Sequence, residues 1–109
     1  MAKFLSAYVE WNAITRHIPK IHRYSLGVKI DRLFADIIEL VSLAQFSTNK
    51  ETRDILLGKA ITKNDCLKFM LYVMLEVKGF EEKHFFSLAP KMEEIGRMLF
   101  GWKNKKEKE

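Results

Sequence analysis

The side chains best suited to do chemistry in this chain are few: His17, His22 and His84, the lone Cys66, and carboxylates at Asp31, Asp36, Glu39 and Glu81. Glu81-x-x-His84 has the i, i+3 spacing with which a single helix presents a carboxylate and an imidazole to a di-iron centre. A complete centre takes two such helices and a further glutamate from each of two others, all pointing inward. Only one copy of the motif occurs, near an expected helix start, so no metal site is predicted. Asp31 and Asp36 stand five apart and do not share a helix face, while Glu39 aligns with Asp36 alone. No serine or cysteine nucleophile has a histidine at a spacing that recurs in hydrolases. The five glycines (27, 58, 79, 96 and 101) are single and scattered, which rules out a glycine-rich phosphate loop. A single cysteine forms neither an internal disulfide nor a cysteine-based zinc site, and Cys66 is expected to be buried and reduced. The expectation is a non-enzymatic protein with no catalytic residues, no metal and no cofactor.

Positive charge is the stronger signal. The chain carries 19 Lys and Arg against 14 Asp and Glu, a net charge of +5 with a pI near 9.4. Residues 1–34 hold six basic against two acidic residues, +4; residues 35–102 hold nine against ten, −1; residues 103–109 hold four against two, +2. Arg16-His17-Ile18-Pro19-Lys20-Ile21-His22-Arg23 therefore forms a basic corner, and Lys29 and Arg32 extend it along the next helix. Such a stripe tracks phosphates without reading base edges. No helix-turn-helix, zinc-finger or RNA-recognition pattern competes with that reading. Arg16, Lys29, Arg32 and Lys68 are candidate nucleic-acid contacts on the charge distribution alone.

The elements that position these charges are helices. At 109 residues, 48% apolar and 30% charged, the chain suits one folded domain. Leu26, Ile30, Leu33, Ile37, Leu40 and Ala44 repeat at helical spacing, as do Leu67, Met70, Leu71, Met74 and Val77, then Leu88, Met92, Ile95, Leu99 and Trp102. Phe4, Tyr8, Trp11 and Ile18 mark a fourth stripe. Pro19 disfavours helix at Ile18, so the predicted helices run about 2–18, 23–46, 49–78 and 81–102, with 103–109 a basic flexible tail. Thr48 and Glu51 have the spacing of a capping box at the third helix, and Gly79 is the expected left-handed residue that ends it. Pro90 falls inside the fourth helix and is expected to kink it. Short connections make neighbours antiparallel, giving an all-α, up-down-up-down four-helix bundle. Lys68, Asp36 and Glu39 break the longest apolar runs, and residues 1–18 carry Glu10 and Arg16, unlike a signal peptide; a cytoplasmic protein is expected.

Apolar residues exceed what one core needs. Phe85, Phe86, Phe100 and Trp102 on the fourth helix, with Phe34, Ile38 and Val41 beside the second-helix stripe, predict a further face covered by a partner subunit.

Three stretches resemble the Avd-like family: Tyr8-x-x-Trp11; Ile18-Pro19-Lys20-x-x-Arg23-Tyr24-Ser25-Leu26-Gly27-x-x-Ile30; and Glu94-Ile95-Gly96-Arg97-Met98-Leu99-x-Gly101-Trp102. The family includes the accessory variability determinants of diversity-generating retroelements and the proteins encoded by intervening sequences in bacterial large-subunit ribosomal RNA genes. The resemblance spans nearly the whole chain, with its Gly-Trp ending the most specific part. It implies a four-helix bundle assembled as a barrel-shaped homopentamer. For the retroelement branch it implies binding to a reverse transcriptase and to RNA and DNA, in support of mutagenic copying of template RNA into cDNA. For the intervening-sequence branch it implies the same fold with no established function. The matched motifs carry Lys20, Arg23 and Arg97 across as nucleic-acid contacts; Tyr24, Gly27 and Gly96 match as packing residues. Pro90 departs from a smoothly helical fourth segment.

Overall fold

The computed structural model describes residues 2–105. Helix α1 (Ala2–Thr15) turns into α2, a continuous run made of an α-helical turn (Lys20–His22), a π-helical segment (Arg23–Gly27) and a long α-helix (Val28–Phe46). Helices α3 (Lys50–Glu76) and α4 (Glu82–Lys103) follow. The four pack against one another as an all-α bundle. Antiparallel pairing is visible in the cross-links: Lys3 with Glu94 and Glu10 with Lys91 join α1 to α4. Asn64 and Tyr72 of α3 likewise meet Met92 and Phe85 of α4 in reversed order. No helix among the described residues is long and apolar enough to cross a membrane.

Each helix buries one stripe at helical spacing: Phe4, Ala7, Trp11 and Ile14 on α1; Ile30, Leu33, Phe34, Ile37, Val41 and Ala44 on α2; Leu57, Ala60, Asn64, Leu67, Leu71 and Met74 on α3; Leu88, Met92, Ile95 and Leu99 on α4. Phe34 is 0% exposed and anchors α2 against α1, its ring 5.6 Å from Phe4, 5.4 Å from Tyr8 and 6.1 Å from Trp11. Two residues expected on an outer face therefore lie in the core, since Val41 is buried as well. The reason is the width of the apolar face of α2, which packs against α1 and α3 together. Met70, by contrast, is half-buried and Val77, just past the helix end, is exposed, while the α3 stripe of Leu67, Leu71 and Met74 extends back through Asn64, Ala60 and Leu57.

Several helix ends differ from expectation. Helix α1 stops at Thr15, and the Ile18 side chain is still buried in the turn that follows. Helix α2 begins directly after Pro19, because proline at the N-cap needs no amide partner. Asn49, not Thr48, caps α3: its side-chain oxygen accepts from the Glu51 and Thr52 amides at 2.8 and 3.3 Å. At the other end, Lys78 takes the left-handed conformation (φ 59°) that Gly79 was expected to take. The Lys78 and Gly79 amides donate to the Leu75 and Met74 carbonyls at 2.9 and 2.8 Å, closing a Schellman motif one residue early. Glycine is needed at 79 for a different reason: a Cβ there would stand 2.1 Å from Met74 Sδ. Helix α4 is unbroken through Pro90 and includes Lys103, so the expected tail starts inside a helix; residues 106–109 of that tail lie outside the described residues.

Candidate nucleic-acid interface

The corner between α1 and α2 is built around orphaned carbonyls. The end of α1 leaves C=O groups without helical partners. The His17 and Ile18 amides satisfy two of them, donating to Ile14 and Thr15 at 2.9 and 3.2 Å. Arg23 then reaches back. Its Nε and Nη2 donate to the Ile18 carbonyl at 3.2 and 2.9 Å, and Nη2 also donates to the Arg16 carbonyl at 3.3 Å. With Ile18 pinned in the core beneath it, this guanidinium clamps the basic turn to the start of α2. Arg23 is half-buried and acts first as a brace for the cations around it.

The π segment sets where those cations point. In a plain α-helix, residues spaced by four drift about 40° per step, so positions 20, 24, 28 and 32 would spiral through about 120°. A π turn holds an extra residue and takes back about 100° of that drift. Lys20, Tyr24, Val28 and Arg32 consequently share one outer row, and all four are exposed. Gly27 is buried within the segment, where a Cβ would meet the His22 carbonyl at 3.3 Å. Ser25 Oγ donates to the Ile21 carbonyl at 2.8 Å, one of the contacts that loosen an α ladder. Lys29 is exposed beside the row, and Arg16 is exposed on the turn.

Pairing separates the basic residues sharply. Among the described residues no carboxylate pairs with Arg16, Lys20, Lys29 or Arg32. Lys68 instead bridges Glu93 and Asp65 at 2.9 and 3.3 Å, and the hydrogen bond to Glu93 holds its ammonium above the usual lysine range. The same bond, with the Lys68 charge and a smaller contribution from Arg97, holds Glu93 below the usual carboxylate range. Arg97 is exposed but also lies near Glu94, whose carboxyl is lowered first by its hydrogen bond from Lys3. The Lys3–Glu94 contact places Arg97 by the N-terminal end of α1, the opposite end from the corner. The fold thus gathers Arg16, Lys20, Arg23, Lys29 and Arg32 and leaves Lys68 and Arg97 apart, each beside acidic groups.

Comparison with protein-family models, with curated proteins and with solved structures finds no match to this chain.

Sequence reasoning missed one residue here. Tyr24, taken as packing, is 69% exposed and stands in the basic row between Lys20 and Val28. The family resemblance made it a packing aromatic, and the π segment that lines it up with Lys20 is invisible to an α-helical period. Gly96 keeps its expected role: a Cβ there would stand 3.1 Å from Asn64 Nδ2, which donates to the Met92 carbonyl at 3.0 Å.

The remaining chemically capable groups do not converge. Glu81 caps α4 and accepts the His84 amide on its backbone carbonyl at 3.0 Å, while the His84 ring rests 6.1 Å from that of Phe80. Among the described residues no three His, Cys, Asp or Glu side chains come together as a metal site. Cys66 is half-buried rather than buried.

Proposed function

We propose that this protein is a non-enzymatic accessory protein of a diversity-generating retroelement, a homopentameric adaptor that binds RNA and DNA and holds them to a reverse transcriptase. The observation that carries the nucleic-acid part is the row of unpaired cations at a braced corner: Lys20 and Arg32 in line, with Arg16 and Lys29 beside them. Lys3, Lys63, Lys68 and Lys91 face carboxylates of neighbouring helices, whereas the corner brings several cations without such partners onto one turn and one helix. Sequence-independent binding to phosphates is what such a row does. The Ile18-Pro19-Lys20-x-x-Arg23-Tyr24-Ser25-Leu26-Gly27 resemblance, common to both branches of the family, falls on this same corner, and the net charge of +5 favours the retroelement branch.

Assembly is supported by exposed apolar side chains. Phe46 is 79% exposed, Phe86 64% and Phe100 61%, apolar rings that a partner subunit would cover. Phe85 and Trp102, expected on the same face, pack partly against the core. Five copies around an axis would repeat the basic corner five times and multiply its field.

Filter binding of the wild-type protein to single-stranded RNA and DNA of mixed sequence, at low and moderate salt, tests the reading. Binding to both, falling steeply with salt, is the expected result. No binding at low salt would remove the nucleic-acid role and favour a bundle of the ribosomal intervening-sequence type.

A further inference from the structure

Beside the basic row lies an open cleft of about 230 Å³ between α1 and α2, lined by Asn12, Thr15, Arg23, Tyr24, Val28 and Asp31. Its size falls below the roughly 300–1,000 Å³ of pockets for drug-sized ligands, so it suits one planar ring system and excludes a duplex. Tyr24 stands on its wall and is 69% exposed, which leaves it open to a ligand. Val28 adds a second apolar contact in line with it. Within the cleft Asp31 carries a carboxylate, one oxygen of which accepts the Tyr8 hydroxyl at 3.2 Å. A neutral heterocycle entering that space meets a hydrogen-bond acceptor in Asp31, while the Arg23 guanidinium on the same lining is already donating to backbone carbonyls. Of the cations only Arg23 lines the cleft, its guanidinium held by the Ile18 and Arg16 carbonyls; Lys20 and Arg32 lie outside it on the same helical row, one turn before Tyr24 and one turn beyond Val28. Ring inside, phosphates along the row outside, is the polarity of a single nucleotide strand.

We propose that this cleft seats one unpaired base of a single-stranded nucleic acid, stacked on Tyr24, while Lys20 and Arg32 hold flanking phosphates. The inference rests on the nucleic-acid reading above and deepens it: charge alone binds duplex and single strand alike, but a base can reach this cleft only if it is unpaired. Stacking on an aromatic ring tolerates every base, so little sequence preference is expected. The brace explains why the site has a fixed shape. Arg23 ties the turn to α2, and the π segment holds Tyr24 in line with the cations.

The test compares wild type, Tyr24→Ala and Tyr24→Phe by fluorescence anisotropy with a labelled single-stranded oligonucleotide and with the duplex of the same sequence. Tyr24→Ala is expected to weaken single-strand binding by about 5- to 150-fold, the loss of one base–aromatic stack. Duplex binding is expected to stay within twofold, and Tyr24→Phe, which keeps the ring, to behave as wild type. Because Tyr24 is largely exposed, the helical content and melting temperature of both variants should match wild type. Equal single-strand affinity for Tyr24→Ala and wild type would overturn the inference and leave the basic row standing as a general phosphate binder. Parallel losses on duplex and single strand would also overturn it. Failure of the wild type to bind either nucleic acid would instead sink the reading on which it rests.

Discussion

Replacing Lys20, Lys29 and Arg32 together by Gln removes three unpaired positive charges from the outer side of α2 and leaves its buried face untouched. Arg23 is left in place because its guanidinium holds the Ile18 and Arg16 carbonyls, and its loss would confuse charge with shape. If each of the three neutralises one phosphate of a single strand, the slope of log affinity against log salt flattens by about 3 × 0.7, or roughly 2. Between about 50 and 200 mM salt that difference amounts to a factor of nearly 20. The wild type should therefore outbind the variant strongly at low salt and lose most of that advantage at moderate salt. Filter binding over this range, with oligomer mass and helical content checked in parallel, measures both slopes. Parallel slopes for the two proteins would refute the assignment of the corner. A changed slope with Lys68→Gln or Arg97→Gln instead would move the contact to helices where carboxylates now stand beside the cations.

Phe100→Glu places an unpaired charge in the expected subunit interface, where a buried uncompensated charge costs about 3–5 kcal/mol; light scattering should fall from a pentamer mass to a monomer mass with the helical spectrum retained, and a monomer mass for the wild type at micromolar concentration would remove the assembly. Lys78→Gly relieves a left-handed backbone in a non-glycine residue and should raise unfolding free energy by about 0.5–1 kcal/mol in denaturant melts. Gly79→Ala should lower it, because Met74 is fully buried and its sulfur has nowhere to go. Acid should weaken the fold through the inter-helix carboxylates. Burial pushes Glu10 upward, but hydrogen bonds from Lys91 and Ser87 outweigh it and hold Glu10 below its ordinary value, as those from Lys68 and Lys3 do for Glu93 and Glu94. A carboxyl with a lowered folded pKa stabilises above its unfolded value, about 4.3 for glutamate, and that contribution fades as pH falls through the folded pKa. Melting temperature should thus fall with pH below about 4.3, and the triple variant Glu10→Gln, Glu93→Gln, Glu94→Gln should show a shallower fall.

Much of the architecture was legible in the chain because it is local. Apolar residues three and four apart mark a helix whatever they later touch, and the Ile30–Ile37–Ala44 and Leu88–Leu99 stripes fall where their spacing places them. Pro19 separates the first two helices for the same kind of reason, acting only on its immediate neighbours. The basic corner was legible as well, since charge can be summed along a sequence.

The state of each charge could not be read that way. Lys68 and Lys20 look alike in the sequence, but a carboxylate from another helix meets Lys68, and none among the described residues meets Lys20. Arg23 looks like a free cation and is a clamp, because the chain reverses through Ile18 and Pro19 and brings its guanidinium back onto the Arg16 and Ile18 carbonyls. Phe34 looks surplus and is the middle of an aromatic cluster assembled from two helices. Lys78 adopts the conformation expected of its glycine neighbour, and the buried Met74 side chain claims the space that a Cβ at 79 would need. Helical periodicity is a property of consecutive residues, and it placed the helices. Which charge is unpaired, which ring is outside and where a helix adds a residue to its turn depend on groups distant in sequence, and those were decided only by the packed bundle.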